Sequence, residues 1–174
     1  MTWCAPKFTW PAAVAEPLHL LVVCLGNICR SPMAEGLLRT RIESSPLRGR
    51  ILVDSAGTGD WHVGRPPDPR AIATAARHGV DIASLRGRQI AAPDFQRFDW
   101  VLCADRANLR DVRALAPPAV RAQSALLLEW SGMEEGGGEI PDPYTGGTSH
   151  FEQVWGLLDR AANGVVARLH AMHR

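Results

Sequence analysis

Apolar residues along the chain follow two rhythms that take turns. Leu18 to Val23 (LHLLVV), Ile51 to Asp54 (ILVD) and Trp100 to Ala104 (WVLCA) are short unbroken apolar runs, and Ala125 to Leu128 is a weaker fourth. Runs of that length suit strands buried on both faces. Between them the spacing changes to three and four. Ala34, Leu37, Leu38 and Ile42 mark one helix, Pro69 to His78 a second with Gly79 just past its end, and Arg106 to Leu115 a third. The last segment is the most regular, with Phe151, Val154, Leu158, Ala161, Val165, Leu169 and Met172 on one helical face. Strands alternating with helices predict a single α/β domain. Its four-stranded parallel sheet carries helices on both faces, in a flavodoxin-like or Rossmann-like arrangement. Ligands of such folds bind beyond the carboxyl ends of the strands, and Cys24 lies at one of those ends. Two loops stand out: residues 55–68, with three glycines and two prolines, and residues 131–147, long enough to carry function.

The 174 residues, 46% hydrophobic and 21% charged, support one globular domain. Residues 18–174 hold the pattern. In residues 1–17, Pro6, Pro11 and Pro17 interrupt Trp3, Phe8 and Trp10, which predicts a loosely ordered extension and a poor secretory signal. The net charge is +1, and Lys7 is the only lysine among 19 basic residues. Scattered arginines near neutrality predict no nucleic-acid partner. No apolar stretch approaches ~18 residues, so no membrane insertion is expected. Cys4, Cys24, Cys29 and Cys103 form no CxxC pair, and the six histidines show no HExxH spacing, so neither metal nor cofactor is expected. Unpaired thiols fit a reducing cytoplasm. A preponderance of arginine over lysine fits a GC-rich bacterial source.

Chemistry concentrates where the first strand ends. Cys24 is followed by a glycine turn (Leu25, Gly26, Asn27, Ile28, Cys29), then by Arg30, Ser31 and Pro32, which open a helix with Ser31 as its expected N-cap. Such a turn aims successive backbone N–H groups at one point, and the helix end and a planar guanidinium add positive charge. An oxyanion is held there, and the same field favours the thiolate of Cys24. A thiolate beside a bound phosphate ester is set to attack phosphorus. Arg30 can grip two equatorial oxygens, and the Ser31 hydroxyl can donate to the departing thiolate. A buried structural cysteine beside a surface arginine is the bland alternative. Asp142, before Pro143, reads equally as a turn residue or as an acid.

The run VCLGNICRSPMAE resembles the nucleophile loop of the low-molecular-weight protein tyrosine phosphatases. The likeness continues, in family order, through VDSAGTGDWHVGRPPDPRA, RHGVDI, FDWVLCADRANLRD and DPYTGG, from Leu18 to the last helix. The resemblance implies a phosphotyrosine phosphatase working through a phosphocysteine. Cys24 is then the nucleophile, Arg30 the phosphate clamp, Asp142 the general acid and base, and Ser31 the hydroxyl beside the thiolate. Asn27, Ser31, Ser55 and His78 match a network that shapes the phosphate loop, with Asn27 at a positive φ. Asp105 matches a supporting position. Trp61 and Tyr144 match aromatic walls flanking the substrate ring, and Cys29 matches a neighbour able to form a reversible disulfide with Cys24. Phosphotyrosine proteins are the implied partners, with a bacterial tyrosine autokinase as one possibility, and the implied state is a monomer or weak dimer.

The family often carries a second tyrosine where this chain has Thr145, which bears on rim contacts. Three other readings compete. Thioredoxin-coupled arsenate reductases need a further cysteine where this chain has Arg110. Protein arginine phosphatases place threonine at the position of Ile28. An inactive phosphotyrosine-binding module would lack some of Cys24, Arg30, Ser31 and Asp142, and all four are present.

Overall fold

A computed structural model describes residues 16–172. Most of the expected extension, Cys4 included, lies outside the described residues. Strands β1 (Leu18–Cys24), β2 (Ile51–Gly57), β3 (Trp100–Cys103) and β4 (Gln123–Leu126) form one parallel sheet in the order β2-β1-β3-β4. The helices are α1 (Arg30–Glu43), α2 (Pro69–Arg77), α3 (Asp94–Arg97), α4 (Arg106–Leu115), α5 (Leu127–Trp130) and α6 (Thr148–Met172). β1 lies inside the sheet, which explains its unbroken apolar run. Leu20 and Val22 face one core, with α1, α2 and α6, whereas Leu21 and Val23 face the other, with Phe95, Phe98, Leu109 and Val112. The fold is the expected α/β domain. From α6, Phe151, Val154, Leu158, Ala161, Val165 and Leu169 are all buried. Each large side chain among them contributes about 1.5–3 kcal/mol by leaving water; Met172 of the same stripe is exposed.

Several boundaries differ from the sequence expectation, each for a tertiary reason. β2 continues through Ser55, Ala56 and Gly57, because β1 offers them partners up to Cys24. Small residues that read as loop are therefore strand. β4 starts two residues earlier than expected and stops at Leu126, opposite the end of β3. Leu127 and Leu128 then turn into α5 and remain buried; an apolar run cannot show by itself where strand yields to helix. α2 ends at Arg77, with His78 as C-cap and Gly79 at φ 75°, as a C′ glycine should be. α1 begins at Arg30, so Ser31 lies inside the helix, and the N-cap, Cys29, makes no side-chain capping bond. The expected capping role of Ser31 is not realised because its hydroxyl is engaged elsewhere.

Candidate active site

The segment from Cys24 to Arg30 joins the central strand to α1 in a single tight turn. Its carbonyls face outward: Cys24 O accepts from Thr58 N at 2.9 Å, Leu25 O from Gly59 N at 2.9 Å and Ile28 O from Asp68 N at 2.8 Å. The N–H groups of residues 25–29 find no acceptor among the described residues. Unpaired amides gathered at a helix start make an anion cradle. Asn27 is the one non-glycine residue with positive φ among those described, at 56°, a conformation asparagine tolerates. Its side chain locks the turn. Nδ2 donates to Ser31 Oγ at 2.8 Å and to Ser55 Oγ at 2.9 Å, while Oδ1 accepts from Arg88 N at 2.9 Å.

Cys24 Sγ lies 3.0 Å from Ser31 Oγ, which is why that hydroxyl is unavailable for capping. Arg30 is buried, and its guanidinium is fully directed. Nη1 donates to Asp105 Oδ2 at 2.6 Å and to Ile140 O at 3.0 Å, and Nη2 to Asp142 Oδ2 at 3.2 Å. Burial works against its charge, but the attraction of Cys24, Asp105 and Asp142 outweighs it and holds Arg30 more firmly protonated than a free arginine. Asp105 also caps α4 through Asn108 N at 2.7 Å, so its position is set by the helix rather than by the ligand. Asp142 arrives from the loop before α6. Ile140 N donates to Ala104 O at 2.8 Å, which extends the end of β3 and carries Asp142 over the cradle. Asp142 Oδ1 accepts from Tyr144 N at 3.1 Å, closing a short turn at the proline.

These groups surround a pocket of about 140 Å³. Cys24, Ile28, Cys29 and Arg30 form its inner end, with Trp61, His62, Asp142 and Tyr144 around it. Trp61 is 67% exposed and Tyr144 50% exposed, and both line the pocket. Cys29 is a free thiol on the same pocket, and burial, followed by nearby Asp68, pushes it up and keeps it protonated. Cys103, in the second core, is pushed up to about 12 by burial and takes no part in the site.

The structure corrects one expected member of the loop network. His78 stacks on Trp155 at 5.1 Å and meets Glu152 Oε2 at 2.8 Å, on the outside of α2 and α6, apart from Asn27. As the C-cap of α2 it is carried away from the cradle. Its place is taken by two groups that sequence reasoning missed. The Arg88 backbone N–H meets Asn27, and buried Glu35 accepts a short hydrogen bond from Ser55 Oγ. Burial pushes the Glu35 carboxyl up. The signal for Glu35 was available, since it lies one turn after Ser31 on the apolar face of α1. His62, also on the pocket, carried no signal beyond its neighbour Trp61.

A parallel α/β sheet whose central strand hands a cysteine to an anion cradle, with a buried arginine beside it and an aspartate above, defines a cysteine-dependent phosphatase. The family model described as "Low molecular weight phosphotyrosine protein phosphatase" matches residues 19–174. A low molecular weight protein-tyrosine-phosphatase of Streptomyces coelicolor is 42% identical over 83% of this chain and 89% of its own length. Among solved structures, a protein tyrosine phosphatase from Entamoeba histolytica superposes with a TM-score of 0.83 at 30% identity, covering 90% of this chain and 99% of the other. A Drosophila arginine phosphatase does so at 0.80 and 31%, covering 87% and 97%. The chain belongs to the low molecular weight phosphotyrosine protein phosphatase family. It is a hydrolase of phosphoric monoesters. No helix among the described residues is long and apolar enough to cross a membrane.

Proposed function

We propose that the chain hydrolyses phosphotyrosine in proteins by two in-line displacements. In the first, the Cys24 thiolate attacks phosphorus and the P–O bond to tyrosine breaks. Asp142 gives its proton to the leaving phenolate oxygen. In the second, Asp142 takes a proton from water as that water attacks the phosphocysteine. The P–S bond breaks, releasing inorganic phosphate, and the Ser31 hydroxyl donates to the departing thiolate. Arg30 and the free N–H groups of residues 25–29 carry the equatorial oxygens through both steps. The observation that carries the reading is the pocket, which Cys24 lines together with two aromatic side chains, Trp61 and Tyr144, and this supports an aryl substrate. Ile28 on the pocket supports an aryl ester over the guanidinium phosphate of an arginine phosphatase, a class to which the fold is also similar. A bacterial tyrosine autokinase is the partner class we propose, with cytoplasm as the site of action.

The test is release of phosphate from phosphotyrosine, phosphoserine and phosphoarginine peptides under reducing conditions with a chelator, beside Cys24→Ser. Selective release from phosphotyrosine that survives the chelator and is lost in the variant is the expected result. Preferential release from phosphoarginine overturns the substrate class, and loss on chelation overturns the metal-free chemistry.

A further inference from the structure

Arg70, the second residue of α2, sits between the two loops that build the pocket. On one side it grips Asp68, with Nε donating to Oδ1 at 2.9 Å and Nη2 to Oδ2 at 2.7 Å. Asp68 is in turn tied to the phosphate loop, because its own N–H donates to Ile28 O at 2.8 Å. On the other side, Arg70 Nη1 donates to Gly146 O at 2.8 Å and Nη2 to Tyr144 O at 3.0 Å. Those carbonyls belong to the turn immediately after Asp142. The guanidinium also lies over two rings, 4.7 Å from the Phe151 centroid and 5.7 Å from that of Tyr144. Tyr144 N–H donates to Asp142 Oδ1, so fixing the Tyr144 backbone fixes the carboxylate next to it.

We propose that Arg70 is a positioning residue that latches the Asp142–Tyr144 loop to the phosphate loop and keeps the proton donor and one aromatic wall in register with Cys24. The proposal rests on the phosphatase reading above. A fork is needed because donors on three separate nitrogens reach a carboxylate and two carbonyls at once, which the single nitrogen of an ammonium cannot do. The role is separable from folding. Asp68 caps α2 by accepting from the Arg70 backbone N–H, which any residue supplies. The Arg70 side chain is itself 36% exposed, outside the packed core.

The experiment compares wild type, Arg70→Ala, Arg70→Lys and Asp142→Asn on two aryl phosphates, one with a poor leaving group (phenyl) and one with a good one (dinitrophenyl). Inhibition by inorganic phosphate is measured on all four. In kcat/KM, which reports the first displacement and not the later hydrolysis of the phosphocysteine, a displaced donor hurts only where the leaving group needs its proton. Arg70→Ala should lower kcat/KM on phenyl phosphate about 10–50-fold and on dinitrophenyl phosphate less than about 3-fold, with phosphate inhibition within about 2-fold of wild type. Arg70→Lys should recover only part of the deficit, and it carries the same test if the alanine variant does not fold. An equal fall in kcat/KM on both substrates, or a parallel loss of phosphate inhibition, overturns the latch and makes Arg70 merely structural. Wild-type leaving-group dependence, or full rescue by lysine, overturns it as well. If Asp142→Asn is sensitive to the leaving group while the Arg70 variants are not, only the latch fails. An inactive wild type sinks the phosphatase reading itself.

Discussion

Gly57→Ala probes how firmly the phosphate loop is held from below. A Cβ at Gly57 would lie 2.8 Å from Leu25 O, 3.1 Å from Asn27 N and 3.1 Å from Gly26 C, all backbone atoms of the loop. Ordinary contact begins at 3.4 Å, so about 0.6 Å has to be found. Gly57 cannot supply it. Its N–H donates to Arg88 O at 2.8 Å, its carbonyl accepts from Ile90 N at 2.9 Å, and it pairs with Cys24 in the sheet. The loop must lift instead. Overpacking of this kind costs about 1–3 kcal/mol. Misplacing reacting groups by ~1 Å costs ~10²-fold, so a shift near half that should cost about 10–30-fold. The expected result is kcat/KM on an aryl phosphate, and affinity for inorganic phosphate, each lowered by about that factor, with stability in urea lowered by about 1–3 kcal/mol. Gly49→Ala is the control. Gly49 sits at φ 74° with nothing within 4 Å of a Cβ, so the variant should lose about 1–2 kcal/mol while keeping full activity. Phosphate affinity within two-fold of wild type in Gly57→Ala would refute the reasoning. So would an equal loss of affinity in Gly49→Ala, since general destabilisation would then explain both.

Asn27→Ala removes two donors from buried hydroxyls and one acceptor from the partly buried Arg88 N–H, and leaves a Cβ residue at φ 56°; urea titration should show a loss of about 2–4 kcal/mol, with weaker phosphate inhibition. Asn27→Asp keeps the acceptor for Arg88 N and loses both donors, so it should not restore activity. Burial raises the Glu35 carboxyl, so the native state holds that proton more tightly than the unfolded chain does. Its contribution to stability is therefore present below the ordinary value of 4.5 and is lost as pH rises through the higher folded value; Glu35→Gln should flatten that slope in urea midpoints measured from pH 4 to 7. Asp142→Asn should slow phenyl phosphate hydrolysis by ~10²–10⁴-fold and substrates with good leaving groups much less, as kcat/KM, which reports the first displacement, will show.

The buried β1 run, the helix after it and the stripe on α6 were all legible in the chain, because a strand covered on both faces and an amphipathic helix leave periodic marks. Cys24, Arg30, Ser31 and Asn27 were legible for a different reason. They sit within eight residues of one another, and a turn that short nearly dictates where their groups point. Asp142, Trp61 and Tyr144 come from distant loops, and only their resemblance to a family pattern singled them out. His78 shows the limit of that pattern, since its place as the C-cap of α2 turns it toward Trp155 and Glu152 instead of Asn27.

What the sequence determined by itself is therefore local: strand, turn, helix, and an anion cradle with a cysteine in it. What the tertiary structure decided is which distant groups close around the cradle. Asp105 and Asp142 reach Arg30 across 75 and 112 residues of chain, Arg88 N reaches Asn27 across 61, and Arg70 reaches Gly146 O across 76. Such pairings depend on strand order and on how each loop packs, and neither follows from the spacing of residues in any one segment. Short-range geometry is written in neighbouring residues, whereas long-range geometry is settled when the sheet order brings the ends of β1, β2 and β3 to one edge and buries the side chains that hold them there.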